Sequence, residues 1–106
     1  MTGFLSRWVE RRRAIVLQAF TFPRAPLSSL EILTRVGADP GNAFFAWSGG
    51  VYRTLHALVE DGLAISYDVP APPPIDAMRG GRPRRYYELT DQGLAARAAV
   101  NAGRFL

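Results

Sequence analysis

A chain of 106 residues with a hydrophobic fraction of 48% is long enough for one domain with a modest core, and too apolar to remain disordered. It holds no cysteine and a single histidine, which excludes disulfides, thiolate nucleophiles and cysteine-based zinc sites. The net charge is +4 and all 13 basic residues are arginine, which favours an anionic partner: the planar guanidinium suits bidentate contact with phosphate or guanine. A GC-rich coding bias accounts for the arginine equally well.

From Phe4 to Phe20 apolar residues recur at Phe4/Leu5, Trp8/Val9, Ile15/Val16 and Ala19/Phe20, a helical spacing that Arg12 breaks once. Arg7, Glu10 and the triplet Arg11 to Arg13 interrupt this stretch. No run of about 18 apolar residues exists elsewhere, so neither a membrane span nor a secretory signal is expected, and the expected location is cytoplasmic. The Phe22-Pro23 and Ala25-Pro26 pairs stop the first helix. Ser28 with Glu31 forms a capping-box pattern for a second helix through Leu30, Leu33 and Val36, which Gly37 is placed to end. Asp39-Pro40 reads as the cap and first turn of a short third helix holding Phe44, Phe45 and Trp47. Ser48 is the expected cap of a fourth helix over about 49–61, closed by Gly62.

Beyond Gly62 the period changes from helical to alternating. Leu63 to Asp68 and Arg84 to Leu89 read as two strands of an antiparallel hairpin. Pro70, Pro72, Pro73 and Pro74 lie between them, so the connecting loop is expected to project and not to pack. Thr90 caps a last, alanine-rich helix over about 91–104 with Leu94 and Phe105 facing inward. The predicted fold class is mostly α with a small antiparallel β-hairpin, in winged helix-turn-helix order. Residues 1–106 are expected to form one domain.

Two blocks carry a family resemblance: Val51-Tyr52-Arg53-Thr54-Leu55 with Glu60-Asp61-Gly62-Leu63, and the run from Gly81-Arg82-Pro83-Arg84-Arg85-Tyr86-Tyr87 through Glu88-Leu89-Thr90-Asp91-Gln92-Gly93. In them the chain resembles the PadR-type transcriptional regulators, of the same broad class as the MarR-type repressors, from about Pro26 to Val100. The resemblance implies a homodimer built by the first and last helices (about 4–20 and 91–104), and a small flat aromatic effector near that interface. The chain departs from the family in its proline-rich wing, its aromatic segment before the fourth helix, and its short last helix.

The expected partner is double-stranded DNA. Tyr52, Leu55, Val59 and Gly62 are assigned to the core face of the fourth helix, which leaves Gly50, Arg53, Thr54 and Ala57 opposite. Arg53 suits guanine and Thr54 a phosphate or thymine methyl, while Ser48, Gly49 and Gly50 form a positive helix end suited to phosphate. The alternative for Arg53 is a solvated side chain pairing with Glu60 or Asp61.

On the wing, about 69–85, Arg79 and Arg82 are candidates for the backbone or minor groove. One of Arg84 and Arg85 is expected to face DNA, while Tyr86 and Tyr87 are assigned to the core. Trp8, Phe44, Phe45 and Trp47 are expected either to pack in the core or dimer, or to line an effector pocket. His56 receives no catalytic role, and Arg11 to Arg13 are expected either to be solvated or to reach DNA or lipid headgroups. No carboxylate pair, nucleophile–base pair or phosphate loop stands out, so neither an enzyme, a cofactor nor a metal is expected. The leading expectation is a sequence-specific repressor; the alternative is a winged-helix protein-interaction module.

Overall fold

The computed structural model describes residues 3–22, 24–69 and 84–103, with side chains from Trp8 onward. The first helix, α1, spans Gly3–Ala19; among its described side chains Val16, Leu17 and Ala19 are buried, with Phe20 fully buried just beyond it. Trp8 and Val9, counted in the expected apolar stripe, are 48% and 45% exposed. Over the described side chains the stripe is buried from Val16 onward; Phe4 and Leu5 of the expected stripe lie outside them.

Helix α2 spans Ser29–Gly37 and starts on the capping box read from the sequence. The Glu31 amide donates to Ser28 Oγ and the Ser28 amide donates to Glu31 Oε1, each at 3.2 Å, so two otherwise orphaned donors are satisfied reciprocally. Ile32, Leu33 and Val36 are its buried residues; Leu30, expected inside, is exposed. A single 3-10 turn over Pro40–Asn42 follows, with Asp39 Oδ1 accepting from the Gly41 amide at 2.9 Å, and leads into α3, Ala43–Trp47. Helix α4 spans Gly50–Glu60, and Gly62 just past its end has a φ of 77°.

Ser28 also belongs to a two-residue strand, β1 (Leu27–Ser28), which the sequence reading did not include. It pairs with β3 (Arg84–Leu89), whose other edge pairs with β2 (Ala64–Val69). The order β1-β3-β2 is antiparallel throughout, with Leu27 opposite Tyr87, and Ser66 opposite Tyr87 from the other side. Strand β3 has the bounds expected of it. Strand β2 starts one residue later than expected and runs on to Val69.

Thr90 caps α5, Asp91–Asn101, by accepting from the Gly93 amide at 3.1 Å, and its hydroxyl donates to the Gly62 carbonyl at 2.6 Å. One side chain thus ties the end of α4 to the start of α5. Gly93 is needed there for space: a Cβ would stand 1.9 Å from the Leu63 carbonyl oxygen. The expected end of this helix at Arg104, and Phe105, lie outside the described residues.

Phe20, Leu17, Ile32, Leu55, Leu58, Val16 and Val51 are fully buried and form the centre, with Tyr87 and Leu89 of β3 and Ala64 of β2 closing it from the sheet side. Helix α1 touches α2, α4 and α5, and α2 touches α1, α3, α4 and the strands β1 and β3. Truncating one of these central leucines, such as Leu55→Ala, removes about 2–5 kcal/mol of stability. Among the described residues no helix is long and apolar enough to cross a membrane.

Candidate nucleic-acid interface

Helix α4 is amphipathic, but its faces are rotated from the sequence reading. Val51, Thr54, Leu55 and Leu58 are buried, at the i, i+3, i+4 and i+7 spacing of one helical stripe. Tyr52, assigned to the core, is 45% exposed and shares the open face with Arg53, His56 and Glu60. The shift came from anchoring the stripe on the aromatic residue; Val51, one position earlier, is the residue that packs. Thr54, at 6% exposure, therefore cannot offer its hydroxyl or methyl to a groove.

Gly50 is likewise buried and not part of the open surface. Phe45 covers it so closely that a Cβ at Gly50 would stand 2.5 Å from Phe45 Cδ1. The capping expectation at Ser48 also fails: its Oγ donates to the Phe45 carbonyl at 3.2 Å instead. The cap position belongs to Gly49, which has no side chain to offer and adopts a left-handed φ of 86°. Ser48 is one residue too early because the chain swings through Gly49 before the helix begins. Ser48 remains exposed and Gly49 half-buried, next to the Arg53 guanidinium, whose Nη1 lies 3.3 Å from where a Gly49 Cβ would be.

Arg53 is exposed, and neither carboxylate considered as its partner is free to take that part. Glu60 Oε1 lies 2.7 Å from His56 Nε2, and Asp61 pairs with Arg13 of α1. The open face of α4 thus carries a tyrosine, an arginine and a histidine ahead of its one acid, Glu60.

On the hairpin, alternation holds. Arg85, Tyr87 and Leu89 share the core side of β3, opposite Asp68, Ser66 and Ala64 of β2. Arg85 sits at the exposed end of that side with its Nε 3.2 Å from Asp68 Oδ1, so its charge is engaged across the ribbon. Arg84 lies on the outer side, opposite Val69, and is exposed. Tyr86, assigned to the core, is instead half-buried on the outer side, stacked with Tyr67 at a centroid distance of 6.3 Å and an interplanar angle of 16°. The Tyr67 hydroxyl donates to Glu88 Oε1 at 3.0 Å, and desolvation with that hydrogen bond raises its pKa. Tyr87 is buried as expected; burial raises its phenol pKa above the ordinary value, against an opposing pull from Arg85. Arg79 and Arg82 lie outside the described residues.

The four aromatic residues grouped in the sequence separate into two places. Trp8, Phe44 and Phe45 line a cleft of about 390 Å³ together with Arg11, Arg12 and Asn42. Trp47 stands apart, its Nε1 3.2 Å from where a Gly37 Cβ would be, and is 67% exposed. The Arg12 guanidinium carbon lies 3.3 Å from the Trp8 ring centroid and 5.1 Å from that of Phe45. Arg12 therefore covers the ring face that a flat ligand would use. Its interruption of the α1 apolar stripe was the visible signal for this placement. A second cleft, of about 490 Å³, opens between the end of α1 and α2 beside Phe22, Asp39 and Arg35. There the Arg35 guanidinium donates to the Ala19 carbonyl at 2.9 Å, and no sequence motif marked it. Among the described residues no group of three histidine, cysteine or acidic side chains could hold a metal.

The model of the transcriptional regulator PadR-like family matches residues 21–99, from the end of α1 almost to the end of α5. A solved structure from Thermoplasma acidophilum, described as a transcriptional regulator, is similar over 94% of this chain and 85% of its own, with a TM-score of 0.59 and 19% identity. At that identity the likeness is one of fold. No curated protein matches the sequence.

Proposed function

Because this chain belongs to the PadR-like family of transcriptional regulators, we propose that it is a sequence-specific repressor which binds double-stranded DNA as a homodimer. Helix α4 enters the major groove, and the wing over about 69–85 follows the backbone or minor groove. The observation that carries this reading is the open face of α4. Arg53 stands exposed beside the glycine-started end of the helix, with its neighbouring carboxylates committed to His56 and Arg13.

In this reading Arg53 reads a guanine edge, with Tyr52 and His56 as further groove-facing side chains. Ser48 and the uncapped start of α4 near Gly49 suit a phosphate. Arg84 supplies a wing contact, and Arg79 and Arg82 are assigned to the wing tip from the sequence. Arg85, paired with Asp68, serves the ribbon more than the ligand. The dimer draws on α1, whose exposed Val9 offers apolar area, and on α5. An aromatic effector stacking on Trp8 would have to displace Arg12, so we assign such a ligand to the outer wall of the cleft at Phe44, which is 84% exposed. The exposed Phe44 and Trp47 favour, as a second reading, a docking surface for another protein.

Binding to duplex fragments from the protein's own genomic neighbourhood, measured at several salt concentrations, tests the first reading. Arg53→Ala is expected to relax sequence preference, at a cost of about 1–3 kcal/mol on the preferred site. Arg82→Ala is expected to weaken binding to every sequence and to reduce the salt slope by about one. Absence of salt-dependent duplex binding by the wild type would shift the reading to protein docking.

A further inference from the structure

We propose that Arg12 of α1 anchors one phosphate of the DNA backbone, acting beside Arg53 at the start of α4. The inference rests on the DNA-binding reading above, and gives a ligand role to a helix otherwise assigned to dimer contact.

The placement of Arg12 is built by aromatic packing. Its guanidinium lies between the rings of Trp8 and Phe45, at 3.3 and 5.1 Å from their centroids. Phe45 in turn lies against Gly50, the first residue of α4. The aromatic segment that precedes α4 therefore holds an arginine of α1 at the mouth of that helix. Rings cover the faces of a guanidinium and leave the N–H donors along its edge free for an acceptor.

The charge of this corner is unbalanced. Partial desolvation, then the charge of Arg53, pushes the Arg12 guanidinium below its ordinary pKa. Three acids have partners of their own: Asp61 pairs with Arg13, Asp68 pairs with Arg85, and Glu60 lies against His56. Two like charges near one another, one of them fixed by aromatic packing, favour an anion between them, and a phosphate oxygen accepts charge-assisted hydrogen bonds from both. An isolated phosphate in solution and one in a duplex share this chemistry. The duplex is favoured here because Arg53 lies on the open face of α4.

Fluorescence anisotropy with a labelled duplex of random sequence, over a salt series, tests the anchor. Arg12→Gln is expected to weaken binding roughly threefold to tenfold, and to lower the slope of log affinity against log salt by about one. Arg12→Lys keeps the charge and is expected to keep the slope. Inorganic phosphate at the same ionic strength is expected to compete no better than chloride, which separates a backbone contact from a free-anion site; preferential competition would overturn the duplex assignment. An unchanged slope in Arg12→Gln would overturn the anchor and leave DNA binding by the protein standing. A wild type without salt-dependent duplex binding would remove both. Should Arg12→Gln lower the thermal midpoint, Trp8→Leu gives the independent check: it leaves the charge and removes the ring beneath it. Affinity is then expected to fall with the slope retained, and unaltered affinity would count against the anchor.

Discussion

The Arg13 guanidinium pairs with the Asp61 carboxylate, joining the middle of α1 to the residue that ends α4. The pair places a cation where the helix carbonyls concentrate partial negative charge, which offsets the unfavourable position of Asp61 at a helix C-terminus. Their side chains are 23% and 49% exposed, so solvent screens the pair only in part. Asp61→Asn is expected to lower stability by about 1 kcal/mol, near the upper end for exposed pairs. For a domain of this size that is a fall in Tm of roughly 4–8 °C. A double-mutant cycle with Arg13→Gln, followed by thermal denaturation, checks it; additive single effects would show that the two groups do not interact energetically.

The rotated face of α4 separates two adjacent residue roles. Thr54 lies in the core stripe and Tyr52 on the open face. Thr54→Val is expected to leave duplex affinity unaltered and to move stability by no more than about 1 kcal/mol. Tyr52→Ala is expected to do the reverse, leaving Tm nearly constant while weakening duplex binding by roughly 1 kcal/mol. Loss of binding in Thr54→Val with the fold intact would return the recognition face to the phase that the tyrosine suggested.

Two glycines hold helices at contact distance, with different neighbours in the way. At Gly93 an added Cβ meets the Leu63 backbone carbonyl, which cannot rotate aside. Gly93→Ala is expected to cost about 3 kcal/mol or more, through displacement of α5 from the start of β2. At Gly50 the Cβ meets the Phe45 ring at 2.5 Å and its carbonyl oxygen at 2.8 Å, so Gly50→Ala must also shift Phe45. Its expected cost is about 1–3 kcal/mol. Since Phe45 also holds Arg12, Gly50→Ala is expected to weaken duplex binding more than its stability loss explains. Denaturant melts of both variants, with anisotropy on Gly50→Ala, decide the matter.

What the sequence made legible was local chemistry. The Ser28/Glu31 box, the Asp39-Pro40 turn, the Thr90 cap and the bounds of β3 each depend on residues within a few positions of one another, and each appears as read. Strand β1 was not legible because Leu27 and Ser28 become a strand only through pairing with Tyr87 and Tyr86, far along the chain. Ser48 was expected as the α4 cap because its side chain can accept from helix amides; the left-handed turn at Gly49 puts the cap one residue later. The α4 stripe was misphased because hydrophobicity ranked Tyr52 as core, whereas Val51 is the residue that is buried. The position of Arg12 depends on Trp8 and Phe45 meeting in space, and its only trace in the sequence was a break in an apolar stripe.

Tyr87 gives the fold an alkaline limit. Tyr87 as a residue is 7% exposed, and burial raises its phenol pKa above 10.0, the ordinary value. A raised folded pKa means that the native state holds the proton more tightly than the unfolded chain does. The associated stability is complete below the unfolded value and is lost as pH rises through the folded one. Tyr67 is raised too, by desolvation and its hydrogen bond to Glu88, so the same linkage applies to it; at 36% exposure solvent screens its contribution more than that of Tyr87. Stability is therefore expected to hold through neutral pH and to fall above about pH 10. Tyr87→Phe is expected to flatten that fall while Tyr67→Phe leaves most of it. Tyrosinate absorbance followed alongside circular dichroism provides the check. If the Tyr87→Phe protein unfolds along the same alkaline profile as the wild type, the limit lies in another group.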